Sequence, residues 1–285
     1  MTQTTSSPTY YTRRLVYYVK ELWRRREFIW FLAMGNFKAR NASTALGLFW
    51  WVLNPVLLSL VYWLVFGFIF PSDRNIIYLM SGMFVFHFTA QALTGGANAV
   101  LQNSKLLTNL KFPRLILPLA NLFEALIGFL VSLGVLLAVQ MVLFVVIRDP
   151  ESSPQIFFPT AFVVLLLVAI PLQFLFNLGL GSIAARLAVP FRDINNFIPY
   201  VNRIWLYLSP IIWPLTMLDT ERGQDFAPYA ELNPLFPLIS VYRAALIGDP
   251  FDEKMLVQFA IWALVIGVFG IGLFVRYEGK IARHL

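Results

Sequence analysis

The sequence predicts an all-α polytopic membrane protein with six transmembrane helices, and three observations carry that prediction. Of 285 residues, 59% are hydrophobic and 13% are charged, about half the charged share of a soluble domain. The mean hydropathy is +0.70. Apolar runs long enough to cross a bilayer recur along the chain, and lipid offers no partner for backbone polar groups, so such runs are helices. There is no cysteine and there are only two histidines, His87 and His284. Disulfides, Cys-ligated zinc and thiol catalysis are thereby excluded, and no metal site is expected.

The elements follow in order. Residues 1–12 are polar and hold no signal-peptide core, so the first span is expected to be an uncleaved membrane helix. Residues 10–40 mix eight basic side chains with Tyr, Trp, Phe and Leu, the pattern of an amphipathic helix lying in the interface. Six apolar stretches then run roughly over 46–70, 76–101, 116–147, 158–188, 195–213 and 255–275. A seventh, 233–248, contains two prolines and Arg243 and is short for a span. It is expected to belong to an outer excursion over about 219–250, a pair of short re-entrant helices between helices five and six. The division is a tail and interfacial helix at 1–40, a membrane domain at 41–276 and a C-terminal tail at 277–285.

Charge fixes the sidedness. Six spans put 16 of the 22 basic residues on one side, in the N-terminal segment, the loops 102–115 and 186–194, and the C-terminus. The other side holds 10 of the 15 acids. The positive-inside rule then places both termini in the cytoplasm. The net charge of +7 is thus a membrane-topology signal, and no nucleic-acid partner is expected.

Within the interfacial segment, Arg24, Arg25, Arg26, Lys38 and Arg40 have two readings: topology control with binding of anionic lipids, or reception of a phosphate-bearing lipid headgroup. In span two, Phe84, His87, Gln91, Thr94, Asn98 and Gln102 recur at helical spacing on one face. They either bond neighbouring helices or border a watery path. Span one carries Trp51, Leu58, Tyr62 and Phe66 at the same spacing, and span five carries Asn196, Tyr200, Arg203 and Tyr207. Such aromatics pack helices or stack on sugars. Arg203 is expected to be buried at depth and to need a partner. Glu124 is the only acid well inside a span, too little for a proton relay.

The chain has no G-x-x-x-x-G-K-[ST] string; the nearest, Glu278-Gly279-Lys280-Ile281, lacks its upstream glycine and its hydroxyl residue. No paired carboxylates or Ser/His/Asp set stands within the spans. No catalytic residue is therefore assigned, although Asp219, Glu221 and Asp225 cluster on the outer side.

Read in order, the motifs resemble one family. The run from Leu46-Gly47 through Trp50 to Asn54-Pro55 resembles the LGxxWxxxNP start of span one in ABC-2 type polysaccharide export permeases. Asn103 to Pro118, containing Lys111-Phe112-Pro113-Arg114, resembles its KFPR segment. Phe191-Arg192-Asp193-Ile194 resembles its FRD[IL] element, Asn233-Pro234-Leu235 the opening of its outer re-entrant pair, and Arg276-Tyr277-Glu278 its short ending. Asn41 to Thr44 depart from the basic-aromatic string many members carry.

The resemblance implies a type V ABC exporter-like fold and a permease rather than an enzyme. It implies a second copy of the chain, two copies of an ABC ATPase subunit that binds ATP and magnesium, and no cofactor in this chain. It implies a polyprenyl-diphosphate-linked polysaccharide of O-antigen, teichoic acid or galactan type. The ATPase-coupling helix carries over onto Lys105, Leu106, Leu107, Thr108, Asn109, Leu110, Lys111, Phe112, Pro113 and Arg114. The substrate path would draw on Trp51, Tyr62, Phe66, Phe84, His87, Gln91, Tyr200, Arg203 and Tyr207, and the outer gate on Asn233, Pro234, Leu235 and Phe236. The alternatives are an ABC-2 exporter of lipids or drugs, a membrane glycosyl- or acyltransferase, and a proton-coupled flippase working through Glu124.

Overall fold

A computed structural model of the chain describes residues 18–41, 44–47, 49–69, 76–110, 112–147, 160–213, 217–218 and 220–281. Among these residues the regular structure is entirely helical. A helical run at 18–24 turns at Arg25 into α1 (Arg26–Asn41). There follow α2 (Phe49–Ile69), α3 (Ile76–Gln102), α4 (Ser104–Asn109), α5 (Ile116–Ile147), α6 (Thr160–Ala188), α7 (Ile194–Leu208), α8 (Glu221–Glu231), α9 (Leu235–Ile247) and α10 (Glu253–Ile281).

Four of these helices contain stretches long and apolar enough to cross a bilayer: α3, Ile116–Val142 of α5, Leu166–Ala188 of α6 and Glu253–Gly279 of α10. The chain is a multi-pass membrane protein on that ground. Helix α2, apolar over Phe49–Val65, and α9 are shorter. The expected fifth span is different in kind. Helix α7 has 15 residues, about 22 Å of rise, and buries only Ile198 and Leu206. It stops at Ser209, whose extended backbone (φ −95°, ψ 148°) is the conformation that the following Pro210 favours.

Helix α3 is the central element. It lies between α5 and α6 and also touches α2, α7 and α9. Its aromatic side feeds one continuous core, in which Phe88 stacks on Phe129 at 4.9 Å and Phe129 meets Tyr242 edge-on at 5.9 Å. Buried polar groups on this core are bonded across helices: Gln173 donates to the Val85 carbonyl at 3.0 Å and Gln140 to the Leu246 carbonyl at 2.8 Å. In a low-dielectric interior, leaving such groups unpaired is costly.

Glycine sets the closest helix contact. A Cβ on Gly179 of α6 would sit 2.2 Å from the Ile266 carbonyl oxygen, and one on Gly270 of α10 2.2 Å from that of Gly179. Backbones at this separation need small residues, the usual device where hydrophobicity supplies no drive between helices.

The expected outer pair separates into two unlike elements. Helix α8 is mostly exposed where described. Helix α9 is a core helix, packed on α3, α6 and α10 with ten residues buried, and it ends on Gly248 in the left-handed region (φ 74°).

Candidate functional site

Three helices bring the predicted polar and aromatic stripes together. Tyr62 of α2 and Tyr207 of α7 meet edge to face, with ring centroids 6.4 Å apart and hydroxyls at 3.4 Å. On α3, between them in the packing, His87 and Gln91 share a 3.0 Å hydrogen bond. One turn on, Asn202 of α7 donates to the Thr94 hydroxyl at 3.3 Å. Tyr200 is 64% exposed on the same amphipathic α7. The face defined by α2, α3 and α7 thus offers phenol, imidazole, amide and hydroxyl groups among aromatic rings. Such a surface can hydrogen-bond and stack on a polyhydroxylated chain without a single deep site.

Four expectations for this face need correction or restriction. Phe84 is 2% exposed in the core, because the helical row it shares with His87 turns inward towards α5 and α9. Trp51 is buried between Gly128, where a Cβ would clash with its ring, and Phe37 at 5.6 Å. Neither lines an open path within this chain. Arg203, expected to be buried, is exposed, because α7 lies on the bundle surface. The side chain of Phe66 lies outside the described residues.

The second cluster stands at the opposite end from α9, where the N-terminal arm, the loop before α5 and the end of α10 meet. Tyr18 donates to the Glu278 carboxylate at 2.6 Å and accepts from the Leu115 backbone N–H at 3.4 Å. Arg114 donates to the Glu278 carbonyl. Burial first, and then the Glu278 charge, raise the Tyr18 phenol above its ordinary range. Phe112 packs edge-on against Phe28 at 5.5 Å, and Leu107 is buried among Leu115, Leu117, Ala185 and Phe274. Leu106, Pro113 and Arg114 are half-buried. Leu110 is therefore the open apolar contact of the expected coupling segment, at 51% exposure. Lys111 and the side chains of Lys105, Thr108 and Asn109 lie outside the described residues.

The basic cluster is less free than its composition suggests. Arg25 pairs with Glu21 at 2.7 Å and Arg24 approaches the same carboxylate at 3.8 Å. The Arg25 hydrogen bond lowers the Glu21 pKa. Arg26 lies over the Trp23 ring at 5.7 Å. Lys38 is exposed, and the Arg40 side chain lies outside the described residues.

At the far end, Asn233 ties α9 to α7. It accepts from the Trp205 indole at 2.8 Å and donates to the Ser209 hydroxyl at 3.0 Å and the Leu208 carbonyl at 3.2 Å. Pro234 caps α9. Leu235 and Phe236, expected at an outer gate, are instead buried in the core. Arg243, which the sequence placed among the outer charges, is fully buried. Its guanidinium lies 3.4 Å from the centre of the Tyr78 ring and donates to the Tyr78 hydroxyl at 2.6 Å and the Ile211 carbonyl at 3.3 Å. Its place in an apolar stretch was the available signal. Tyr18 had none, because its partner is 260 residues away.

The comparisons with known proteins agree with these features. The ABC-2 type transporter family profile matches residues 27–247. An O-antigen export system permease protein RfbA from Myxococcus xanthus is 30% identical over 230 residues, covering 79% of this chain and 82% of the relative. Its namesake from Klebsiella pneumoniae is 24% identical over 252 residues, covering 88% and 92%. A family match over most of the length, on a multi-pass helical bundle with the expected motifs in order, leads to one conclusion: this chain belongs to the ABC-2 type transporter family.

Proposed function

We propose that the chain is the permease subunit of an ATP-driven exporter moving a polyprenyl-diphosphate-linked cell-envelope polysaccharide across the inner membrane. The observation that carries this reading is the α2–α3–α7 face. Tyr62 pairs with Tyr207 and Thr94 with Asn202 across these helices, His87 bonds Gln91 on the same α3, and Tyr200 and Arg203 are exposed on the same α7. A charged or strongly polar side chain at membrane depth faces a bundle interior or water rather than lipid. A second copy of the chain would cover this face and enclose a path between the two protomers.

In this reading the chain spans the membrane six times with both termini in the cytoplasm, and α2 and α7 complete the count by packing in the dimer. Helices α8 and α9 form the outer excursion, with Asn233 holding it to α7. Two ATPase subunits bind ATP and magnesium and dock on the segment from Lys105 to Arg114, where Leu110 is the exposed anchor. Lys38 and Arg40, at the end of α1 just before α2, receive the lipid diphosphate. The sugar chain then slides over the tyrosines through many weak contacts, since one tight site would stall release. The related permeases are named for O-antigen export, which favours that polymer class over teichoic acid or galactan.

The test is a cell-surface polysaccharide assay in a host whose own permease gene has been replaced by this one together with its ATPase. Tyr62→Ala with Tyr207→Ala should cut surface polymer at least tenfold while ATPase activity of the purified complex persists. The paired Phe variants should retain most export. Full export by the double Ala variant would remove the path from this face.

A further inference from the structure

The interfacial arm packs on α5 through Ile29 and Ala33 and leaves a groove beside that contact. The groove runs between the arm and α5 and has a volume of about 830 Å³. Trp23, Trp30 and Met34 form one wall, and Leu119 and Phe123 of α5 form the other. The polar side chains on the lining are Arg26 and Glu27. We propose that this groove holds an acyl chain of a singly charged anionic phospholipid, with its phosphate at Arg26.

The groove is held open by the fold. Ile29 and Ala33 are buried against Ile116 and Ala120, and Asn36 donates to the Asn121 side chain at 3.2 Å. The Tyr18–Glu278 hydrogen bond anchors the arm's other end. These contacts fix the arm on α5 and with it the walls of the groove beside them. Water gains little in such a space, because a bound water needs two to four polar partners.

The location names the occupant. Leu119 and Phe123 stand in the first turns of α5, where its membrane-crossing stretch Ile116–Val142 begins. Trp23 is 72% exposed at the groove, as tryptophans are at the headgroup level of a bilayer. Acyl chains are the apolar matter available at that level.

Charge selects the headgroup. Residues 18–41 carry six basic and two acidic side chains, so the segment attracts anionic lipid. Of the three consecutive arginines Arg26 lines the groove, over the Trp23 ring at 5.7 Å, with Glu27 beside it. One positive charge next to an acid suits a single phosphodiester. It suits a diphosphate, with its additional negative charge, less well. The site is therefore for a bilayer lipid rather than for the lipid-linked cargo of the proposed function, and it stands whatever that cargo is.

The experiment places the full-length chain in nanodiscs of phosphatidylcholine with increasing fractions of acyl-brominated phosphatidylglycerol and follows tryptophan quenching. Quenching should saturate at low mole fraction, above a linear background from the other six of the eight tryptophans. Trp23→Phe with Trp30→Phe should abolish the saturable part. Arg26→Gln, at an exposed position and so harmless to folding, should weaken half-saturation about fivefold, the effect of one basic residue near an anionic surface. Saturation that is equally strong with brominated phosphatidylcholine would overturn the proposal. So would a saturable signal surviving in the Trp23/Trp30 variant, or displacement by a polyprenyl diphosphate but not by unlabelled phosphatidylglycerol.

Discussion

The Tyr18 hydroxyl donates a 2.6 Å hydrogen bond to the Glu278 carboxylate, joining the start of the described chain to the end of its last helix. Leu115 and Arg114 bond to the same two residues, so the arm, the coupling segment and the C-terminal end share one polar node.

The first prediction concerns this node and pH. The folded environment raises the Tyr18 pKa, so the node's contribution is complete below the ordinary tyrosine value of about 10 and is lost as pH rises above it. Tyr18→Phe should cost about 2 kcal/mol at neutral pH, the value of a hydrogen bond to a charged group. Thermal unfolding of both forms in detergent checks it: the gap between them should hold from neutral to mildly alkaline pH and then close. A gap that persists in strong alkali would refute the assignment.

The second concerns docking. Phe112 is already packed on Phe28, so Phe112→Asp would confound folding with ATPase binding. Leu110, which is exposed, separates them. Leu110→Asp should leave the unfolding free energy within about 0.5 kcal/mol of wild type and release the copurifying ATPase. Undiminished copurification would move the docking surface elsewhere.

Arg243 supplies the third. Replacing it with Met leaves the Tyr78 hydroxyl and the Ile211 carbonyl without their donor, at a cost of about 2–4 kcal/mol. Lysine should not rescue, since it lacks the planar fork that bridges two acceptors while stacking on a ring. Gly82→Ala should also destabilise, because its Cβ would come 3.3 Å from the guanidinium. The midpoint of denaturant unfolding reads all three; wild-type stability of the Lys variant would show that charge alone suffices.

The fourth contrasts two glycines. Gly179→Ala places a methyl group into the α10 backbone and should lower the yield of folded protein severely. Gly134, with nothing within 4 Å of its would-be Cβ, should accept alanine and gain up to about 1 kcal/mol. Size-exclusion profiles of the two variants distinguish them, and a monodisperse Gly179→Ala protein would contradict the packing.

Much of the architecture was legible because the bilayer imposes it. The apolar runs at 76–101, 116–147, 158–188 and 255–275 became α3, α5, α6 and α10, since each carries its own length and hydropathy. The run at 195–213 was only partly legible: hydropathy summed over the segment hid the amphipathic character of a 15-residue helix that Ser209 and Pro210 end early. Helical spacing correctly put His87, Gln91 and Thr94 in one row. It also put Phe84 there, and the row's inward drift towards the core buried that ring. The opposite error came with the two arginines, since depth in sequence says nothing about which side of a helix faces a neighbour.

The sequence by itself determined the solvent, the family and the helical character of this protein. Those properties follow from local composition, because a segment's transfer into lipid depends on its own residues. Only the tertiary structure decided that Tyr62 meets Tyr207, that Arg243 rather than Arg203 is buried, and that the arm and α5 flank a groove. Those depend on how helices rotate and approach one another, which is settled by contacts such as Gly179 against Gly270 that no single segment encodes.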